Sequence, residues 1–170
     1  MEQFVSRNIV QPGLNDGMPF VICCIITLLD AKGEPHCLYA VHKIGLNGSI
    51  IDNNCMFSPV DPETGKIKYP AHAGDTPLGI IYTEHPNTGV TIQGYQLPYV
   101  KEAVEMVFEA AQLVPQVRYV GWDVAVTPNG PIIIEGNTYC AHDFWQLPPH
   151  TPDKIGMLPK ILSLIPEFKM

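Results

Sequence analysis

The stretch Val117–Asn137, VRYVGWDVAVTPNGPIIIEGN, sets the frame for the whole chain. Val117–Thr127 alternates and is rich in β-branched and aromatic residues, Pro128-Asn129-Gly130 is turn chemistry, and Ile132–Ile134 begins a return strand. That is the pattern of a β-hairpin. Loop length decides the register. A two-residue Asn129-Gly130 loop pairs Thr127 with Ile132 and sets Asp123 opposite Gly136. A three-residue Pro128-Asn129-Gly130 loop pairs Thr127 with Pro131 and Asp123 with Glu135. The second is preferred: Pro128 suits position i+1 of a type I turn, and Gly130 suits the left-handed position of the bulge that follows. Side chains alternate along a strand, so Asp123, Glu135 and Asn137 then share one face. Two opposed carboxylates repel, and a shared proton, a basic neighbour or a cation must offset that. Two carboxylates and an amide oxygen form an all-oxygen set suited to Mg²⁺. An ordinary hairpin with solvated acids at its rim fits the same residues.

The rest of the composition narrows the class. At 170 residues the chain is read as one domain, 1–170, with room for a real core. It is 46% hydrophobic with net charge −7 and has no basic run, which argues against a nucleic-acid surface. The longest apolar run, Phe20–Leu29, is too short to span a bilayer, so no membrane partner is expected. The five cysteines (Cys23, Cys24, Cys37, Cys55, Cys140) are an odd number and contain no CxxC. This points to reduced thiols in a cytoplasmic setting.

In chain order, Phe20–Leu29 reads as a buried strand, Asp30–Pro35 as a turn and Cys37–Gly45 as its return strand. The expected fold is α+β: a mainly antiparallel sheet from two hairpins, covered by helices. His42 and Lys43 are neighbours and point to opposite faces; Lys43 is either a solvated cation or a point charge for a phosphate. Asp52-Asn53-Asn54 either holds an Asx turn or contributes to a ligand loop. Asn54–Thr83 shows little periodicity and reads as a long loop. His85, in the turn HPNTG, reads as solvated or as a ligand group. Leu97–Pro115 is the clearest helix, with an apolar stripe through Val100, Ala103, Val104, Val107, Ala110, Ala111 and Val114. It should lie across the sheet. His142 and Asp143 either line the acidic cleft or flank a Phe144-Trp145 core plug. Asp153–Ile165 reads as a closing helix, kinked at Pro159 or broken there into two short pieces. No Walker motif, GxSxG elbow or HExxH occurs.

At GWDVAVTPNGPIIIEGN the chain resembles the ATP-grasp superfamily, in particular its sugar-transfer-associated and glutamate-ligase-related branch. IGLNGSIIDN, VDPETGK, HPNTG, the helix and GWDVAV…IEGN follow in the same order, from about Gln11 to about Leu162. The resemblance implies the C-terminal lobe of a fold whose two lobes grip ATP. It implies activation of a carboxylate as an acyl phosphate and transfer to an amine or thiol. By that analogy Asp123, Glu135 and Asn137 are Mg²⁺ ligands. Lys43 stands where the family tends to carry an Arg, and contacts phosphate in a catalytic role. Asn53 belongs to the nucleotide loop. Glu2-Gln3-Phe4-Val5 matches the hinge that reads adenine and ribose. The partners implied are ATP and a small carboxylate or amine substrate.

Three departures stand out. Cys24 occupies a position where relatives show an Arg. Asn54-Cys55-Met56-Phe57 replaces a Gly-Gly loop. The sequence also starts at the presumed hinge, so the preceding lobe is expected to be missing, supplied by a partner or compensated in a homodimer. Two functions follow: a Mg-ATP-dependent ligase lobe, or a non-catalytic ATP-grasp-like module that binds a partner protein or metabolite.

Overall fold

A computed structural model describes residues 21–45, 55–73, 79–127, 129–140, 142 and 146–167. The apolar run becomes β1 (Val21–Leu29), which pairs antiparallel with β2 (Pro35–Gly45). Their turn is held by Asp30, whose Oδ1 accepts from the backbone N–H of Lys32 at 2.7 Å and Glu34 at 3.0 Å. The hairpin in Val117–Asn137 is β6 (Tyr119–Thr127) with β7 (Gly130–Asn137). β6 pairs with β1, so the two hairpins lie side by side.

The segment expected to be a long loop is instead ordered into strands. β3 (Cys55–Pro59), β4 (Ala71–Ala73) and β5 (Ile80–Tyr82) extend the sheet to seven strands in the order β5-β4-β3-β2-β1-β6-β7. Two of these strands are only three residues long, too short to display an alternation pattern. VDPETGK is the turn that follows β3. Asp61 Oδ1 accepts from the N–H of Glu63 (3.1 Å) and Thr64 (2.8 Å), and Gly65 turns the chain at φ +71. Gly65 O then receives the N–H of Leu97 at 2.9 Å, which pins this loop against the start of the long helix.

That helix, α1 (Val100–Leu113), buries Val100, Ala103, Val107 and Ala111 of the expected stripe, half-buries Val104 and Ala110, and leaves Val114, just past its end, 49% exposed. It covers one face of the sheet, joining Ile25, Ala40, Ile44, Met56, Trp122 and Val124 in the main core. The closing helix is shorter than expected. α2 (Leu158–Leu164) has Pro159 in its first turn rather than at an internal kink. A proline there loses no hydrogen bond, so the helix starts at this point and needs no bend. α2 covers part of the opposite face, where Met157, Ile161, Leu164 and Ile165 pack on Ile26, Leu28 and Leu38. Lys160 Nζ ties it down through the Cys37 and Leu38 carbonyls at 2.9 and 3.2 Å. Among the described residues no helix is long and apolar enough to cross a membrane.

Candidate functional site

The β6–β7 turn closes differently from the expected three-residue loop. Thr127 pairs with Gly130, not Pro131, leaving two residues between the strands. Thr127 Oγ1 makes this possible: it donates to Gly130 O at 2.8 Å and accepts from Asn129 N–H at 3.1 Å. Gly130 takes the left-handed φ of +113. The register then shifts at a β-bulge, which leaves Ile134 without a partner. Beyond the bulge Asp123 stands opposite Glu135, Trp122 opposite Gly136 and Gly121 opposite Asn137. The expected acidic pairing is therefore present, reached by a shorter turn and a bulge.

Alternation now accounts for both short motifs. In GWD, Gly121 and Asp123 face one side and Trp122 the other. In EGN, Glu135 and Asn137 face the first side and Gly136 lies under the Trp122 ring. A Cβ on Gly136 would come within 3.0 Å of that ring. Trp122 is anchored on the helix side by Nε1 donating to Thr27 Oγ1 at 2.8 Å. Asp123, Glu135 and Asn137 are thus left on the face opposite α1.

The same face carries Lys43. It is paired with Phe57 on β3, and Phe57 with His72 on β4. Lys43 Nζ reaches across β1 to Asp123 Oδ2 at 3.7 Å, with both side chains largely buried. This is the basic neighbour that offsets the repulsion between the two carboxylates. Asn137 Nδ2 donates to Glu135 Oε1 at 3.2 Å, which leaves its amide oxygen free to face a ligand. His42 points the other way and is buried opposite Ser58.

Between Lys43 and Asp123 sits Cys24. Burial and the neighbouring Asp123 charge push its thiol up to about 12, so it remains protonated and donates to that carboxylate. Cys140 lies beside it and receives the Tyr119 hydroxyl; burial also raises its thiol. Sequence reasoning noted Cys24 only as a departure and Cys140 only in a count. The available signal was Gly121, a glycine inside a strand, which marks a close approach of other atoms.

Further along the face, His72 and His150 meet at 6.2 Å between ring centres, beside Phe57. His150 Nε2 donates to Pro70 O at 3.0 Å, and burial holds its imidazole below the ordinary value. Among the described residues, neither ring nitrogen of the fully buried His72 has a hydrogen-bond partner. His85 is not solvated, as one reading expected. It is fully buried, with Nε2 on Gly45 O at 2.9 Å and Nδ1 accepting from Asn87 N–H at 3.3 Å. Its role is architectural: it clamps the HPNTG turn to the end of β2. His142 is exposed and accepts from Gln146 through its carbonyl. Glu2, Gln3, Phe4, Val5, Asn53 and Asp143 lie outside the described residues.

The donor set fits a small hard cation. Among the described residues no three histidine, cysteine or carboxylate groups converge on a metal cage. A cation here would be held by Asp123, Glu135 and the Asn137 amide oxygen, with the remaining positions left to water or phosphate. Mg²⁺ is typically held this way, through one or two carboxylates plus phosphate oxygens.

Comparison with curated proteins and with solved structures gives no significant match to either. Comparison with family models matches residues 21–152 to the sugar-transfer associated ATP-grasp family. That span runs from the first residue of β1 to just beyond His150 and includes every strand and the acidic hairpin. With the seven-stranded antiparallel sheet and the two helices already described, this match assigns the chain to the sugar-transfer associated ATP-grasp family.

Proposed function

We propose that this chain is the catalytic lobe of a Mg-ATP-dependent ligase, which activates a carboxylate as an acyl phosphate and passes it to an amine or thiol. The observation that carries the reading is the single face shared by Asp123, Glu135, Asn137 and Lys43, with Lys43 3.7 Å from Asp123. Bound Mg²⁺ supplies charge neutralisation to the phosphate oxygens during transfer. The chain's own residues do the rest. Asp123 and Glu135 would hold the cation, and Asn137 would add a neutral oxygen while its amide N–H steadies Glu135 at 3.2 Å. Lys43 would be the phosphate contact, since its ammonium already stands 3.7 Å from Asp123 beside the proposed cation site. The chemistry is positioning plus electrostatics, which suffices for phosphoryl transfer.

Glu135 is exposed at the edge strand, so a second lobe has open access to close over the nucleotide. A non-catalytic module that binds a metabolite is the second reading. It is favoured by Cys24, a neutral thiol in the row where relatives carry a positive charge.

Calorimetric titration with ATP, with and without Mg²⁺, tests the reading. Saturable binding that requires Mg²⁺ is expected, reduced at least tenfold in Asp123→Asn and in Glu135→Gln. Release of ADP on adding carboxylates, alone or with a second lobe, separates ligase from module. Nucleotide binding by Glu135→Gln equal to the parent chain would remove the metal assignment.

A further inference from the structure

Two sulfurs converge beneath the acidic row. Cys24 on β1 and Cys140, three residues past Asn137, both reach the backbone of Gly121 on β6. A Cβ placed on Gly121 would lie 2.9 Å from Cys24 Sγ, 2.9 Å from Cys140 Sγ and 2.8 Å from Cys140 Cβ. Since both sulfurs lie 2.9 Å from one point, they are separated by at most twice that distance. The missing side chain at 121 is the space they share. Both cysteines are free and only partly buried.

We infer that Cys24 and Cys140 form a reversible thiol–disulfide pair whose closure disables the Asp123–Glu135–Asn137 site; the disabling half rests on the Mg-nucleotide reading above. The bond joins a central strand to the segment leaving β7. Forming it takes the Cys24 thiol away from the Asp123 carboxylate. It also draws the chain just after Asn137 toward β1, shifting one proposed ligand against another. A site of this kind tolerates little displacement, because its groups act only when held in place.

The oxidant is a small-molecule disulfide of the glutathione type. The sulfur of Cys140 attacks one sulfur of that disulfide, forming a mixed disulfide and releasing one small thiol, which carries off the Cys140 proton. Cys24 then gives up its proton, attacks the Cys140 sulfur as the thiolate, and releases the second small thiol, which takes up that proton; because the thiol is held protonated at rest, this step is slow and is driven by alkaline pH. Two protein thiols are oxidised by two electrons, and one small disulfide is reduced to two thiols. A small dithiol reverses the sequence.

The test uses the reduced full chain, incubated for hours with oxidised glutathione, alkylated, digested without reductant and analysed by mass spectrometry. A peptide containing Cys24 linked to one containing Cys140 is expected, and it should be reversed by dithiothreitol. Because Cys23 falls in the same peptide, the link must survive Cys23→Ser and vanish in both Cys24→Ser and Cys140→Ser. A glutathione adduct on Cys140 with Cys24 still alkylatable, or a link through Cys23, overturns the pair. Calorimetry then compares Mg-ATP affinity before and after oxidation: at least a tenfold loss in the parent chain and none in Cys140→Ser. A linked protein with unchanged affinity overturns the regulatory half. If the reduced chain binds no Mg-ATP, the nucleotide reading fails by itself, and the linked peptide still decides the thiol pair.

Discussion

Gly121 shows how one residue type can be fixed by its neighbours. Its backbone angle is not the reason, since it lies in an extended strand. The constraint is space: a methyl group at this position meets two sulfurs and a Cβ, all under 3.0 Å. Gly121→Ala is expected to destabilise the chain by about 1–3 kcal/mol, the usual cost of overpacking a filled site. Urea denaturation measures this. Adding Cys140→Ala should recover part of the loss, because it removes one of the two sulfurs in the way. Equal stabilities for the single and double variants would mean the strain lies elsewhere. Gly136 is fixed by the same logic on the opposite face, beneath Trp122.

At the scale of the element, the β6–β7 hairpin separates two things a sequence tends to confuse, the turn and the register. The turn is one residue shorter than its composition implies, and the bulge at Ile134 restores the count. Ile134 has no cross-strand partner and is 52% exposed. Deleting it leaves a regular ladder in which Glu135 still stands opposite Asp123 and Gly136 still opposite Trp122. The ΔIle134 chain is therefore expected to fold, with its near-UV circular dichroism from Trp122 retained and Mg-ATP affinity within about threefold of the parent. Deleting Gly136 is the contrast. It moves Asn137 to the Trp122 side, since a one-residue slip reverses faces, and both signals should be lost. A ΔIle134 chain that loses the Trp122 signal would show that the bulge itself, through its added twist, holds the face together.

For the whole molecule, acid is the condition that probes how the loop at Leu147–Thr151 is tied to the sheet. His150 is buried there against Tyr69, Phe57 and His72. Burial holds its folded pKa below the ordinary 6.5, and the nearby His72 pushes the same way. Below 6.5 the unfolded chain therefore binds a proton that the folded chain refuses. Stability is greatest above that value and falls as pH drops toward the folded pKa. Asp30 and Asp61 behave with the carboxylate sign. The N–H of Glu34 and of Thr64 hold them below 3.8, and what they contribute is lost only in stronger acid. Thermal melts from pH 8 to pH 5 should show a decline that His150→Gln flattens. An unchanged slope in that variant would move the acid sensitivity to another group.

How much of this was legible in the residues differs from one element to the next. The two hairpins and the long helix follow from alternation and helical spacing, whereas the pairing of Asp123 with Glu135 was expected through a three-residue turn and is reached through a two-residue turn and a bulge. Each depends on contacts between residues close in sequence or directly paired. The short strands β4 and β5 were not legible, because three residues carry no period and their partners lie elsewhere in the sheet. The buried role of His85 was not legible either, since its partner Gly45 is forty residues away. The same holds for Lys43 meeting Asp123 across β1, and for Cys24 meeting Cys140 over Gly121. Residue alternation within GWD and EGN puts Asp123 with Gly121, and Glu135 with Asn137, on one face of each strand. Bringing the two pairs together, with Lys43 and Cys24 beside them, is the work of the fold, because the β6–β7 bulge and the side-by-side docking of β1 and β6 join groups that no local spacing connects.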